Sequence, residues 1–370
     1  MKNQVMLTVF LLLIPLFIFI RCDNGLKPDL PREPREYRWT VDTLRYENDF
    51  QTMMFGIWGT THENVYAAGH ASNIKGIMWN YNGKQWSRVP ILVSEGGPID
   101  GRDGITSIYG FSDNDIWVVG LRQITTYNEP GIPDYFLPIA VHYNGSSWTL
   151  HEFSDSSEYF NTVWGDGRGN IWAGGWNTMI SRYDGSMWHR EEVEFDGEIF
   201  IRSIRCMDAD NVYAIAVSPG FDPLEDIYHY FLKRDSDGIW RVIDSFLSGT
   251  RTVKFGWTLW ASPSGRLYSV DDSYDGGLYV LNGGKWTKIN GWSKGTHVFG
   301  SSDNNIFTLS NQLTGAGGVF HYNGSNSEKV EALPTADNIK YDGGWTDGKE
   351  AFIIASTDGF PMVTLVFHGK

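Results

Sequence analysis

Along this chain, short apolar and aromatic runs alternate with polar turn clusters in a fixed order. An apolar-Trp-Gly run, Ile57-Trp58-Gly59, precedes the Asn-led run Asn64-Val65-Tyr66-Ala67-Ala68-Gly69 and then Tyr81-Asn82-Gly83-Lys84-Gln85-Trp86. The pieces return as Ile108-Tyr109-Gly110, Asp115-Ile116-Trp117-Val118-Val119-Gly120 and Tyr143-Asn144-Gly145-Ser146-Ser147-Trp148. They return again as Val163-Trp164-Gly165, Asn170-Ile171-Trp172-Ala173-Gly174-Gly175 and Tyr183-Asp184-Gly185-Ser186-Met187-Trp188. Runs of this length and composition, bounded by Gly, Asn and Asp, predict strands. Each set accommodates four: an innermost carrying Trp-Gly, a second with the Asn-led run, a third ending at the Asn-Gly turn, and an outermost starting near the second Trp. The Asn-Gly and Asp-Gly pairs are expected to form tight hairpins with positive φ at both central positions. The Trp behind each turn is expected to wedge between neighbouring sheets.

Later copies are looser. The fourth keeps Ile204-Arg205-Cys206, Asn211-Val212-Tyr213-Ala214 and Asp237-Gly238-Ile239-Trp240; the fifth keeps Leu259-Trp260-Ala261 and Asn282-Gly283-Gly284-Lys285-Trp286. The sixth has Val298-Phe299-Gly300 and Tyr322-Asn323-Gly324, with Asn326 near the expected Trp. A seventh begins at Gly344-Trp345-Thr346 and stops at Val366-Phe367-His368-Gly369-Lys370, short of its Trp strand. Residues 37–45, which include Trp39, can supply that strand. The motif recurs at about 48 residues, and a unit this small cannot bury its own faces alone. The expectation is an all-β, seven-bladed β-propeller of four-stranded antiparallel blades closed by the N-terminal strand, with six blades as the alternative. Closure would leave no free sheet edge.

The copies resemble the exported β-propeller repeats of bacteria, including regulator-type propeller repeats with their Gly-Asn-aromatic-x-x-Gly core. Asp235-Ser236-Asp237-Gly238-Ile239-Trp240 partly resembles the Asp-box of sialidases, which is a structural turn. The resemblance spans residues 37–370 and implies fold more than function, because propellers host binders, scaffolds, hydrolases and lyases.

Ahead of the repeats, Lys2 and an apolar stretch from Val5 to Ile20 read as a signal peptide or signal anchor over 1–21. At 1.5 Å per residue the stretch reaches about 24 Å, short of a bilayer core of roughly 30 Å. Cys22 directly after it resembles the acylated cysteine of a bacterial lipoprotein, although Arg21 stands where that processing site has a small residue. A lipidated, an uncleaved and a simply secreted chain all remain open. Residues 22–36, with three prolines, read as a semi-rigid tether.

The formal charge is −14, which argues against nucleic acid and against an electrostatic membrane-surface site. It is compatible instead with solubility, cationic groups or neutral sugars. Cys22 and Cys206 are the two cysteines, and Cys206 reads as a small apolar filler on an inner strand. Ser112-Asp113-Asn114-Asp115, Asp208-Ala209-Asp210-Asn211 and Ser302-Asp303-Asn304-Asn305 resemble calcium loops but recur at one place in the repeat, as turns stabilised by side chains do. No metal or cofactor is expected.

Candidate chemistry lies on the face that carries the blade-to-blade loops and the connections between second and third strands. There the second unit inserts residues 121–137 and the fourth 217–230, and irregular additions on a regular scaffold are where binding resides. Around the channel mouth the ligand-binding candidates are His70, Arg102, Asp103, Arg122, Trp176, Asn177, Arg202, Trp257, Asp271, Asp272 and His297. No His-Glu-x-x-His, phosphate-cradling glycine loop or Gly-x-Ser-x-Gly occurs. The leading reading is a monomeric, membrane-tethered binding propeller in the bacterial cell envelope, taking a glycan, peptide or envelope protein. Alternatives are a glycosidase or lyase using carboxylates at the channel mouth, and a structural envelope-assembly protein.

Overall fold

Strand pairing follows the repeat. The computed structural model describes residues 33–370 apart from 102, 125–134, 155–157, 168, 209, 220–226, 249–253, 274, 290, 292 and 314. The described residues form seven antiparallel sheets arranged as the blades of a propeller. Blade 1 runs from the inside outward as Thr52–Thr61, Asn64–Ala71, Met78–Tyr81 and Trp86–Arg88. Inner strands of blades 2 to 7 are Asp103–Ser112, Phe160–Gly165, Phe200–Asp208, Thr258–Ala261, His297–Ser302 and Ile339–Thr346. Blade 4 gains a short fifth strand, Val193–Glu194, parallel to its outer strand Trp240–Leu247.

Closure occurs where the truncated seventh copy requires it. Trp39–Leu44 pairs antiparallel with Thr364–Gly369, from Trp39 opposite Gly369 to Leu44 opposite Thr364. Contacts begin slightly earlier than residue 37: Pro34 is buried, and the Arg35 guanidinium donates to the carbonyls of His321 and Asn326 in blade 6. The first and last segments are thus fastened to two adjacent blades. The proposed signal segment, Cys22 and most of the tether lie outside the described residues.

The core consists of clusters between neighbouring sheets. One, for example, joins Leu44, Phe352, Ile354 and Val366 of blade 7 to Met54, Val65, Ala67 and Tyr81 of blade 1, with Trp86 against it. Trp240, fully buried between blades 3 and 4, donates its indole N–H to Glu191 at 2.8 Å. The second Trp of the repeat is therefore a wedge, as its place in the pattern implied.

Two glycine roles separate. In the Asn-Gly turns only glycine takes positive φ, as at Gly145 (φ 89). Asn144 is not among the positive-φ residues; its side-chain oxygen accepts from the N–H groups of Ser146 and Ser147, both at 3.0 Å. There the expected hairpin with two positive-φ residues is replaced by a side-chain-capped turn needing one, whereas in blade 5 both central residues, Gly283 (φ 55) and Gly284 (φ 79), take positive φ as expected. In Trp-Gly the glycine gives room: a Cβ on Gly110 would stand 2.6 Å from the Trp58 ring of the preceding blade. The calcium-like loops contain no glycine and are turns held by their own side chains, as where Asp208 accepts from the Asp210 N–H and the Asn211 amide.

Candidate functional site: the channel and the loop-rich face

Five inner strands carry a register shift near their start, between Met54 and Gly56, Ile105 and Ser107, Phe160 and Thr162, Ile201 and Ser203, and Tyr341 and Gly343. A bulge leaves one residue unpaired and re-aims its side chain. The residues so placed are Phe55, Thr106, Asn161, Arg202 and Asp342, each three positions before the motif aromatic or, in blade 4, before Arg205. Trp257 and Thr296 hold the same sequence position in blades 5 and 6.

The motif aromatics themselves line a cavity of about 300 Å³ in the centre of the ring, to which all seven inner strands contribute. Around it stand Trp58, Tyr109, Trp164, Arg205, Trp260, Phe299 and Trp345. Arg205 occupies in blade 4 the place an aromatic ring holds elsewhere. Its guanidinium lies 4.3 Å from the Trp164 ring centroid, and Nη1 donates to its own neighbour's carbonyl, Ile204 O, at 2.6 Å. Burial pulls its pKa down to about 10, so it remains a cation at neutral pH. Asp342 lines the same cavity, accepts from Ser356 Oγ and lies 3.8 Å from Lys340 Nζ; burial pushes its pKa up to about 6.

Above this ring, toward the loop-rich face, Arg202 lies beside two aromatic rings, 5.3 Å from the Phe200 centroid and 5.7 Å from that of Trp257. Phe200 packs on Trp176, which stacks on Tyr159 at an interplanar angle of 10°. Trp257 meets the fully buried His229 edge to face at 4.6 Å. His297 lines the cavity; burial, with Arg202 and Lys340 adding to it, pushes its pKa down to about 3 and keeps the imidazole neutral.

Four of the sequence candidates, Trp176, Arg202, Trp257 and His297, thus converge on the channel mouth. Asn177 neighbours them with left-handed φ (55°) and donates to Glu158 at 3.3 Å. His70 lies elsewhere, on a cleft of about 510 Å³ between blades 1 and 2 with Asn48, Phe50, Gly101, Asp103 and Gln123. Buried Asp103 and Arg122 form a bidentate pair at 2.6 and 2.9 Å, which raises the Arg122 pKa, and Arg122 also reaches Glu152. Asp271 is buried in blade 5 and accepts from the Ser273 N–H at 2.8 Å and from its hydroxyl. Asp272 accepts from Ser310 Oγ at 2.6 Å and Asn311 N at 3.2 Å, and burial raises its pKa. Asp103 and the Asp271–Asp272 pair belong to different blades, each bonded to its own surroundings. Arg102 and the insertion segments 125–134 and 220–226 lie outside the described residues.

Arg205, Asp342, Phe200 and Tyr159 were not singled out in the sequence. A signal for Arg205 was available, since it stands in the fourth copy where the others have Trp, Tyr or Phe. Cys206 beside it is half-buried, with its pKa raised to about 11 by burial, which suits an inert filler. Among the described residues, no group of three His, Cys, Asp or Glu is placed to hold a metal ion.

No protein-family model and no curated protein matches the chain. Solved structures do. A structure described as YCF48 bound to D1 peptide superposes with a TM-score of 0.55 at 14% identity, covering 91% of this chain and 98% of that one. The Myceliophteria thermophila Cps50 (Swd1) β-propeller domain superposes at 0.51 and 9% identity, covering 88% and 99%. At these identities the likeness is one of fold: a β-propeller.

Proposed function

We propose that this chain is a non-catalytic binding propeller that docks a peptide or protein on its loop-rich face. The observation that carries the reading is where exposed large apolar side chains stand. Among the described residues, six of the ten exposed large apolar side chains, Phe50 (72% exposed), Val93 (60%), Leu313 (63%) and Phe360 (85%) with Tyr228 and Phe136, lie in blade-to-blade loops or at connections between second and third strands; Val41 and Ile243 stand on outer strands, Met187 in an opposite-face turn and Phe55 in the channel. Such residues gathered on one face, around a concave mouth, are characteristic of interaction surfaces. Phe50 and Phe360 share a corner, since Met362 N donates to Phe50 O at 3.0 Å, and Phe50 also lines the cleft of His70 and Gln123. The YCF48 structure, a propeller holding a peptide, supports the same class of ligand.

The signal-like residues 1–21 and Cys22 support an extracytoplasmic, membrane-tethered location. Intact-mass measurement of membrane-extracted protein tests it: a mass that begins at Cys22 and includes acyl chains is expected, and a mass retaining residues 1–21 contradicts lipidation. For the docking face, a random-peptide selection against the full chain should enrich binders that lose about tenfold or more in affinity on Phe50→Ser/Phe360→Ser, the loss of two apolar anchors. Binders indifferent to that variant contradict this face as the site.

A further inference from the structure

The arginines divide into two groups. Arg35, Arg88, Arg122, Arg182, Arg234 and Arg241 are at least partly buried, and each has a carboxylate partner. Among the described residues, Arg202 and Arg205 are the shielded arginines without one. Both come from the inner strand of blade 4, and the Nε of each is buried with no hydrogen-bond partner. Arg205 lines the central cavity together with His297, and Arg202 lies beside Trp257, whose neighbour Thr258 lines the same cavity. The two cations therefore bear on one space, the channel and its mouth. Asp342, across the ring in blade 7, is engaged by Ser356 and Lys340.

A guanidinium taken out of water without a counter-charge is costly, and stacking on an aromatic ring offsets only part of that cost. The usual remedy is a carboxylate from the same chain, as at Arg122. Here the remedy is withheld at two positions three residues apart, in a chain carrying 44 acidic residues against 30 basic. What stands around them instead is aromatic: Trp164 beside Arg205, and Phe200 and Trp257 beside Arg202. These walls narrow the approach and lower the local dielectric, which strengthens a charge-assisted bond formed there. The planar fork of a guanidinium matches a carboxylate in particular.

We propose that the channel mouth is a carboxylate site built on Arg202 and Arg205, and that it receives the C-terminal carboxylate or an acidic side chain of a peptide docked on the loop-rich face. The proposal rests on the peptide-docking reading and adds to it the charge of the ligand. It also reverses the expectation drawn from net charge. The surplus carboxylates are distributed over the molecule and pair with other arginines, and the channel is left cationic.

The test is a saturation-transfer difference NMR titration of the full chain with three probes: N-acetyl-Leu-Phe as the free acid, the same dipeptide as its C-terminal amide, and N-acetyl-Asp-Phe amide. The expected result is that the free acid binds about tenfold or more tightly than the amide, a difference of the size of one charged hydrogen bond. A side-chain source would show as recovery of binding by the aspartyl probe, and a terminal source as its absence. Arg202→Gln and Arg205→Gln should each reduce binding of the acid toward that of the amide, while Arg202→Lys and Arg205→Lys retain part of the preference and show whether charge, not folding, is responsible. Equal binding of acid and amide by the native chain overturns the proposal, as does an acid preference that survives Arg202→Gln/Arg205→Gln. Displacement of the acid by inorganic phosphate as readily as by acetate overturns the carboxylate assignment. Acid preference unaffected by Phe50→Ser/Phe360→Ser upholds the carboxylate site while removing the docking face; equal acid and amide binding lost in that variant does the reverse.

Discussion

Gly110 has no space for a methyl group because the Trp58 ring lies where its Cβ would stand. Gly110→Ala should therefore destabilise the ring by about 1–3 kcal/mol, the cost of overpacking, measured by urea unfolding; an unchanged midpoint contradicts the packing role. Titration gives a second prediction at this scale. Burial pushes His297 down to about 3 and His321 to about 4, while the unfolded imidazole titrates near 6.5. Between those values the unfolded chain binds more protons than the folded one, so stability is full above pH ~6.5 and is lost as pH falls through the window. Asp342, raised to about 6, acts oppositely: its contribution declines as pH rises from ~3.8 to 6. The histidine direction is shared by His70, His151, His229 and His368 and outweighs it. The melting temperature should drop between pH 7 and pH 4.5. Asp342→Asn should gain on the order of 2 kcal/mol at pH 8 by removing a buried charge; no gain there would show that the carboxyl is not held out of water.

At the scale of elements, the closing strand decides whether the seventh sheet exists. Removing residues 36–46 takes away the register from Trp39 opposite Gly369 to Leu44 opposite Thr364 and uncovers an edge, which should unfold or oligomerise the ring. A deletion variant that is monomeric and as heat-stable as the parent contradicts the closure. This strand was legible in the sequence because the pattern is local: Trp39 opens a strand that the seventh copy lacks. The Asn-Gly turns were legible as turns but not in their geometry, since whether Asn144 adopts positive φ or caps with its side chain is a choice of backbone angles. The bulges were not legible at all. Nothing in the composition of Ile201-Arg202-Ser203 announces that the middle residue leaves the ladder and lies beside Phe200 and Trp257.

Across the whole molecule, the repeat determines architecture and its interruptions bear on function. Arg205 was visible as a break in the aromatic series. Its relation to Arg202, Trp257 and His297 was not, because these residues come from blades 4, 5 and 6 and meet only once the ring is formed. The six exposed apolar side chains of the loop-rich face were equally dispersed in sequence, from Phe50 to Phe360, and share that face only through the alternation of connections around the propeller. That common face, surrounding a channel with two unpaired arginines, is the central claim. Amide hydrogen–deuterium exchange of the full chain with a selected peptide tests it most directly. The account predicts slowed exchange in segments 46–51, 92–101, 310–318 and 358–363 and in the start of the inner strand Phe200–Asp208, with the opposite-face turns 61–64, 112–115 and 302–305 unchanged. Protection confined to those opposite-face turns would contradict it.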